Sequence, residues 1–507
     1  MKQLKIFTRP ERLTWKGALA SVGALALTCS GGALAWQANG WSVYKYAPGI
    51  EQTVTVTSAS DDLICPASAE NNLQAPAYTQ PVGYTLSVGD IKRAGGSQAS
   101  IKDGVVSSYD ISGATIKLDQ SASRTKAGGA MVAYSDSGDL RSLTAGGCVQ
   151  SSVTSWIVGG ATIVGSSSTL YVANPGNTTV NVKVTAWGAS GEISLPSDGQ
   201  LSIAPGKATQ LALENSADAD PQLALRVQAE GGRVAAWVAS QKLDGESAAG
   251  SDIITSTASA GTSLTIGALS IDKAASQITP QAAAADAAAT PSPSASADSL
   301  DLSGALNEPR LRVLNPGDKT AHVKVTLLGK SGPVQFAPAS GLNVKAGQVA
   351  DLPLGGLAQG TYGVKIDSDQ PVSAAALSTS QGSEYPELSG QHIHDFTWSQ
   401  AQTGQGGVAM LPRQDVTSQL LLTNPSAQPK QVTLSAIGSN WTSTLTLPAL
   451  STQVAQVPES VQAVSVSGAV PATLVSRETS GAQAGTLISV IDRIEVTEAI
   501  AQRRIRL

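Results

Sequence analysis

The sequence predicts a mainly β protein: tandem immunoglobulin-like β-sandwich domains after one N-terminal transmembrane helix. Three observations carry this expectation. Ala, Gly, Ser, Thr and Val dominate while aromatics make up only 4%, a bias toward short strands joined by small-residue loops. Apolar residues alternate with a period of two over many short stretches, as strands with one buried face require. One strand–turn–strand unit is written three times.

Composition sets the outer bounds. Hydrophobic residues make up 41% of the 507 and charged residues 14%, enough apolar material for real cores and too few charges for a disordered chain. The net charge of -5 gives no basic footprint for nucleic acid.

The first element is the helix. Residues 1–16 form a basic tail with Lys2, Lys5, Arg9, Arg12 and Lys16. An uncharged run follows over residues 17–36, which at helical rise spans about 30 Å, a bilayer core. The positive flank stays cytoplasmic and the bulk of the chain lies outside. Trp36, Trp41 and Tyr44 stand where an interfacial aromatic belt would lie. Two readings compete. The length and the aromatics favour a retained anchor, whereas Ala33-Leu34-Ala35 is a small-x-small cleavage pattern of a removed signal peptide. A lipid-modified Cys29 is disfavoured by Thr28 and Ala26, and a buried soluble helix by the five preceding cations.

Residues 50–150 form a separate β region that includes the alternating Thr53-Val54-Thr55-Val56-Thr57. It carries Cys65 and Cys148. Two cysteines in an exported, oxidising compartment most simply pair, closing a loop of 83 residues worth about 4 kcal/mol on loop entropy. Two buried free thiols are the alternative.

The repeats follow. Leu170-Tyr171-Val172-Ala173-Asn174-Pro175-Gly176 recurs as Leu311-Arg312-Val313-Leu314-Asn315-Pro316-Gly317 and as Leu420-Leu421-Leu422-Thr423-Asn424-Pro425-Ser426. Eight residues after each Asn stand Val182, Val323 and Val432, and fourteen after stand Gly188, Gly329 and Gly438. The Asn side chain can cap its own turn, and Pro presets φ for the next position. The three sandwiches are placed at residues 151–272, 306–385 and 395–500. Residues 273–305, rich in Ala, Pro and Ser, read as a disordered linker. The tail with Arg503, Arg504 and Arg506 reads as a last strand or a short amphipathic helix.

Ser155-Trp156-Ile157-Val158-Gly159-Gly160, the run from Leu170 to Gly176, Gly231-Gly232-Arg233-Val234-Ala235-Ala236-Trp237, Cys65-Pro66 and Asp395-Phe396-Thr397-Trp398 together resemble an uncharacterised family of exported actinobacterial proteins with a domain of unknown function. The resemblance implies location and architecture, and no activity, cofactor or ligand.

No nucleophile elbow, phosphate loop or dinucleotide fingerprint occurs. The histidines are His322, His392 and His394. His322 is expected to face solvent from a strand. His392 and His394 share a strand face and could approach one metal with Glu384, Glu387 or Asp395, but the spacing is weak and a solvated interdomain linker is the plainer reading. Asp61-Asp62 and Asp136-Ser137-Gly138-Asp139 are candidate carboxylate pairs, the latter more simply a turn. Trp187, Trp237, Trp398 and Trp441 could form a glycan platform; burial is the plainer reading for Trp187.

The expected function is a non-catalytic envelope scaffold or interaction protein, tethered to the membrane, with envelope proteins or glycans as partners. A glycan-binding or carbohydrate-active accessory role in envelope polysaccharide assembly is the alternative. No cofactor, metal site or enzyme activity is expected.

Overall fold

The computed structural model describes residues 51–57, 63–66, 83–88, 91–94, 100–101, 104–108, 114–118, 127–135, 137–215, 219–272, 308–336, 341–385, 388–402, 406–413, 416–479, 485–495 and 500–506. The expected helix at 17–36, Cys29, the linker at 273–305, Asp61-Asp62, Asp136 and Glu387 lie outside them. The described chain is built mainly from antiparallel strands, with one parallel pairing between Gly261–Ile271 and Gly360–Tyr385. Its helical segments are two short 3-10 turns, Pro196–Gly199 and Leu213–Asn215, and no described helix is long and apolar enough to cross a membrane.

Two compact units are present. In the smaller, the strands Glu51–Thr57 and Ile500–Arg506 pair antiparallel over their whole length. The tail therefore takes the strand form and not the helical one.

In the larger unit the three Asn-Pro repeats adopt one topology. In the first, Ser166–Ala173 lies between Ala208–Ala212 and Ala235–Asp244, with Ser247–Ile254 at the sheet edge. After Asn174-Pro175 the chain crosses to a second sheet. There Val180–Gly188 pairs with Ala224–Glu230, Gly191–Ile193 and Gln200–Ile203. The Asn-Pro turn thus joins two sheets and does not close a hairpin. Leu170 and Val172 from one sheet and Val182, Val184, Leu225 and Val227 from the other share a buried cluster, as the alternation requires. In the second copy Arg310–Asn315 and Ala321–Gly329 take these places, and in the third Val416–Asn424 and Lys430–Ala436.

The copies differ where a turn signal is lost. Gly231-Gly232 separates Ala224–Glu230 from Ala235–Asp244 in the first copy. In the second, with no such glycines, one strand, Gly360–Tyr385, runs through and serves both sheets. Leu388–Gln402 folds back on its end. Strand Gly261–Ile271, inside the span assigned to the first copy, pairs with Gly360–Tyr385 of the second. Trp398, inside the span assigned to the third copy, pairs with Leu377 of the second.

The N-terminal β region is a fourth two-sheet module. One sheet contains Leu63–Cys65, Ala114–Leu118 and Gly104–Ser108, and the other runs Ile91–Ala94, Gly83–Val88, Ala127–Ser135, Ser142–Gly147. A disulfide joins Cys65 to Cys148 beside the Val149–Ile64 pair.

The four modules close into a ring. Ile64, Met131 and Val149 of the N-terminal module pack with Tyr171, Trp237 and Ile253 of the first copy. Phe396, Trp398 and Leu314 of the second copy join the first copy's cluster. Ala268 of the second meets Leu421, Val475 and Ile488 of the third. Val408, Met410 and Ile494 of the third then share a cluster with Leu63, Ala130 and Leu143 of the N-terminal module. These interfaces correct the expectation of a single buried face per strand. The residue three before each Asn faces the preceding module: Tyr171 packs with Ile64, Met131 and Val149, Arg312 donates to carbonyls of the first copy, and Leu421 packs on Ala268. Both faces of these strands are buried, as in central strands of layered sheets.

Candidate functional site

The Asn side chains do the same work in all three copies. Each is fully buried. Asn174 Oδ1 accepts from Gly176 N–H at 2.9 Å, and its Nδ2 donates to the carbonyls of Thr178 and Ile203. Asn315 does the same with Gly317, Lys319 and Val344, and Asn424 with Ser426, Gln428, Leu447 and Pro448. An amide supplies one acceptor and two donors, which fits this demand where a hydroxyl or carboxylate would not. The side chain caps its own turn and ties it to the opposite sheet.

The glycine fourteen residues on ends its strand in the first two copies, for different steric reasons. At Gly188 a Cβ would stand 2.1 Å from Asp220 Oδ2, the carboxylate that caps Ala189 N–H. At Gly329 the nearest obstacle is the Val334 side chain.

A polar hub lies where the ring closes. Each module turns one strand inward: Ser142–Gly147, Ser247–Ile254, Leu388–Gln402 and Ile488–Asp492. Side chains join them in place of a β-ladder. Asp395 accepts from the backbone N–H of Leu143 and Ile488, both at 3.0 Å, so it links three modules. Asp252 accepts from Trp398 N–H at 2.7 Å and from the Thr397 hydroxyl. Thr397 Oγ1 in turn accepts from Val490 N–H. Asp492 accepts from Gln400 N–H at 2.6 Å and from Ser399, Gln402 and Thr473 side chains. The hydroxyls of Ser142, Thr144 and Ser251 complete the first junction. Without these partners the inward N–H groups would be buried and unpaired, at about 1–3 kcal/mol each.

Burial governs the charge of the hub. Desolvation pushes the Asp252 carboxyl up to about 8 and Asp492 to about 6, against the lowering effect of the N–H donors. Asp395 is raised well above the ordinary carboxylate range for the same reason. Gly250, with φ of 110°, leaves the space that Asp395 Oδ1 occupies; a Cβ there would lie 2.5 Å from it.

At one end of the hub the four inward strands open on a cavity of about 190 Å³. Its wall is rich in hydroxyl and amide groups, among them Gln150, Ser155, Thr255, Ser256, Gln400 and Gln402. All four modules contribute.

The remaining candidates are dispersed. His322 is exposed on its strand and its Nδ1 pairs with Asn343 at 2.7 Å. His392 and His394 lie half-buried on Leu388–Gln402, and His392 Nδ1 meets the Gly382 carbonyl. They are part of a sheet, which corrects the reading of a solvated linker: His392 is opposite Glu384 and His394 opposite Gln381 on Gly360–Tyr385. Burial and the Lys242 cation lower the His394 pKa. No cluster of three metal-binding side chains occurs among the described residues. Trp187, Trp237 and Trp398 are buried, Trp187 stacked on Trp156 at 5.9 Å. Trp441 is partly buried against the third copy's core. Ser137, Gly138 and Asp139 lie in a turn.

The family profile of DUF5719, a family of unknown function, matches residues 105–458. The chain belongs to this family. No curated protein and no solved structure matches it. The match begins within the N-terminal module and ends within the third repeat, so it spans most of the ring.

Proposed function

We propose that this DUF5719 protein is a non-catalytic scaffold or interaction protein of the cell envelope, a ring of immunoglobulin-like sandwiches held outside the cytoplasmic membrane by its N-terminal segment. The observation that carries the reading is the hub. Four modules are joined by carboxylates whose oxygens are engaged by backbone and side-chain donors, an arrangement suited to holding a frame. The Cys65–Cys148 disulfide supports an exported location, because such bonds persist in oxidising compartments. Crosslinking in intact cells, followed by identification of the captured envelope components, tests the scaffold. Recovery of the chain alone, or only with cytoplasmic proteins, rejects it. The mass of the mature N-terminus distinguishes an anchored chain from a cleaved one.

A glycan-binding role is the second reading, favoured by the axial cavity. Hydroxyl and amide groups suit polyhydroxylated ligands, and the cavity is of monosaccharide size. The buried tryptophans do not contribute an exposed stacking platform. Saturation-transfer NMR with envelope monosaccharides tests it, with Ser256→Trp expected to abolish any signal by filling the cavity.

A further inference from the structure

A second, smaller pocket lies between the first and second copies. Its volume is about 40 Å³, and its lining includes Lys242 and Ser166 from the first copy and Arg310, Arg312, Phe396 and Trp398 from the second. Three cations line it and no carboxylate does. All three are at least nine-tenths buried: Lys242 is 8% exposed, Arg310 9% and Arg312 1%. Asp351 serves both arginines and Asp244 acts on Lys242, so the three cations share two carboxylates, both outside the lining.

The three cations differ in how they are satisfied. Arg312 is complete. Its Nε and Nη2 hold the two oxygens of Asp351 at 2.8 and 2.9 Å, while Nη1 and Nη2 also donate to the carbonyls of Gly160 and Pro221. The guanidinium lies over the Trp398 ring. Asp351 is therefore engaged as a bidentate partner of Arg312. Arg310 reaches the same carboxylate only at 3.5 Å through Nη1 and gives Nε to the Glu308 carbonyl. Its Nη2 is buried with no hydrogen-bond partner. A buried donor left unpaired is destabilising, and an orphaned group in a native fold asks for an explanation.

We propose that this pocket binds a small oxyanion, the phosphate or carboxylate group of a ligand, between Arg310 and Lys242. Arg310 Nη2 supplies a directed donor and Lys242 a second charge from the facing module. Arg312, fixed by Asp351, holds the wall. The electrostatics agree with the geometry. Burial lowers the Lys242 pKa to about 8, with Asp244 raising it and Arg310 lowering it. Burial also lowers that of Arg310, offset by Asp351 and Glu308 and reinforced by Arg312. Asp244 and Glu308 are partly exposed and do not line the pocket. An anion seated there relieves the cation–cation repulsion and fills the vacant donor with charge-assisted hydrogen bonds. The apolar wall of Phe396 and Trp398 limits hydration of the bound group, and the small volume limits the bound part to a single anionic group.

The test is saturable binding of inorganic phosphate to the full chain, by equilibrium dialysis and by thermal melting, against sodium chloride at equal ionic strength, with acetate as a parallel probe. The expected result is a dissociation constant below about 1 mM and a melting temperature raised by phosphate but not by chloride. Preference for acetate identifies a carboxylate as the natural group. Arg310→Gln and Lys242→Gln are each expected to weaken binding by about tenfold or more, while Lys183→Gln, at a lysine on the Val180–Gly188 strand away from the pocket, leaves it unchanged. Absence of saturable binding of both probes to the unaltered protein overturns the proposal, since water then suffices for Arg310. Retained affinity in both folded pocket variants overturns it equally.

Discussion

The backbone N–H of Trp398 donates to the carboxylate of Asp252 at 2.7 Å, and through that bond an edge strand of the first repeat is fastened to the second. Ser247–Ile254 and Leu388–Gln402 belong to different sheets and share no ladder. A carboxylate at the meeting point supplies the acceptor the missing strand would have provided.

Removing one of these acceptors is expected to destabilise the whole ring. Asp395→Ala leaves the N–H groups of Leu143, Ile488 and Phe396 without their acceptor at a site 1% exposed. With each worth about 1–3 kcal/mol, the loss should exceed roughly 3 kcal/mol in a denaturant titration. A loss under about 1 kcal/mol would mean that the hub is not what joins the modules.

Stability should fall as pH rises through the neutral range. The folded-state pKa values of Asp252 and Asp492, about 8 and about 6, stand above the ordinary value of 3.8. Between those limits the folded chain retains protons that the unfolded chain has released, so stability declines with increasing pH. Asp220 and Glu478, also raised by burial, act in the same direction. Melting temperatures recorded from about pH 5 to about pH 8 should decrease, and Asp252→Asn should flatten the upper part of the slope. A melting temperature that climbs across that interval would contradict the assignment.

The turn asparagines offer a comparison across copies. Asn174→Ala, Asn315→Ala and Asn424→Ala each delete an amide that holds its own turn and the opposite sheet. Each should cost about 2–4 kcal/mol. Calorimetric melting is expected to show similar losses in all three. A negligible effect in one copy would separate that copy's folding problem from the others.

Reduction provides a fourth check. Replacing Cys65 and Cys148 together by Ser removes a link across 83 residues and should lower stability by about 4 kcal/mol. Because both cysteines are buried, the intact bond should resist mild reductant in the folded state and yield once denaturant is added, as followed by thiol labelling.

Much of this architecture was legible in the chain. The Asn-Pro registers marked three turns of one topology, because an amide that both caps its own turn and reaches the opposite sheet is hard to replace. The alternation at Val182, Val323 and Val432 marked the core face correctly. What period-two patterning could not reveal was the second buried face. Tyr171, Arg312 and Leu421 occupy one structural position with three different chemistries, each matched to a different neighbour, so no common pattern survives. The N-terminal region is expected as a separate β stretch at residues 50–150, but its two-sheet form is not, because it carries no Asn-Pro turn to mark a crossing. The hub aspartates carried a signal that passed unread. Asp252 before Ile253-Ile254, Asp395 before Phe396 and Asp492 after Ile491 are carboxylates set among large apolar residues on strands, where a solvent-facing acid would not be expected.

Closure of the ring has a kinetic consequence. The N-terminal module shares its apolar cluster with Val408, Met410 and Ile494, residues made hundreds of positions later. During synthesis or export Leu63 and Leu143 must wait for the last segment before they are covered. Contacts so distant along the chain slow folding and leave sticky intermediates exposed meanwhile. A chain truncated before residue 408 would lose more than its final module: it would strip the first one of its partner.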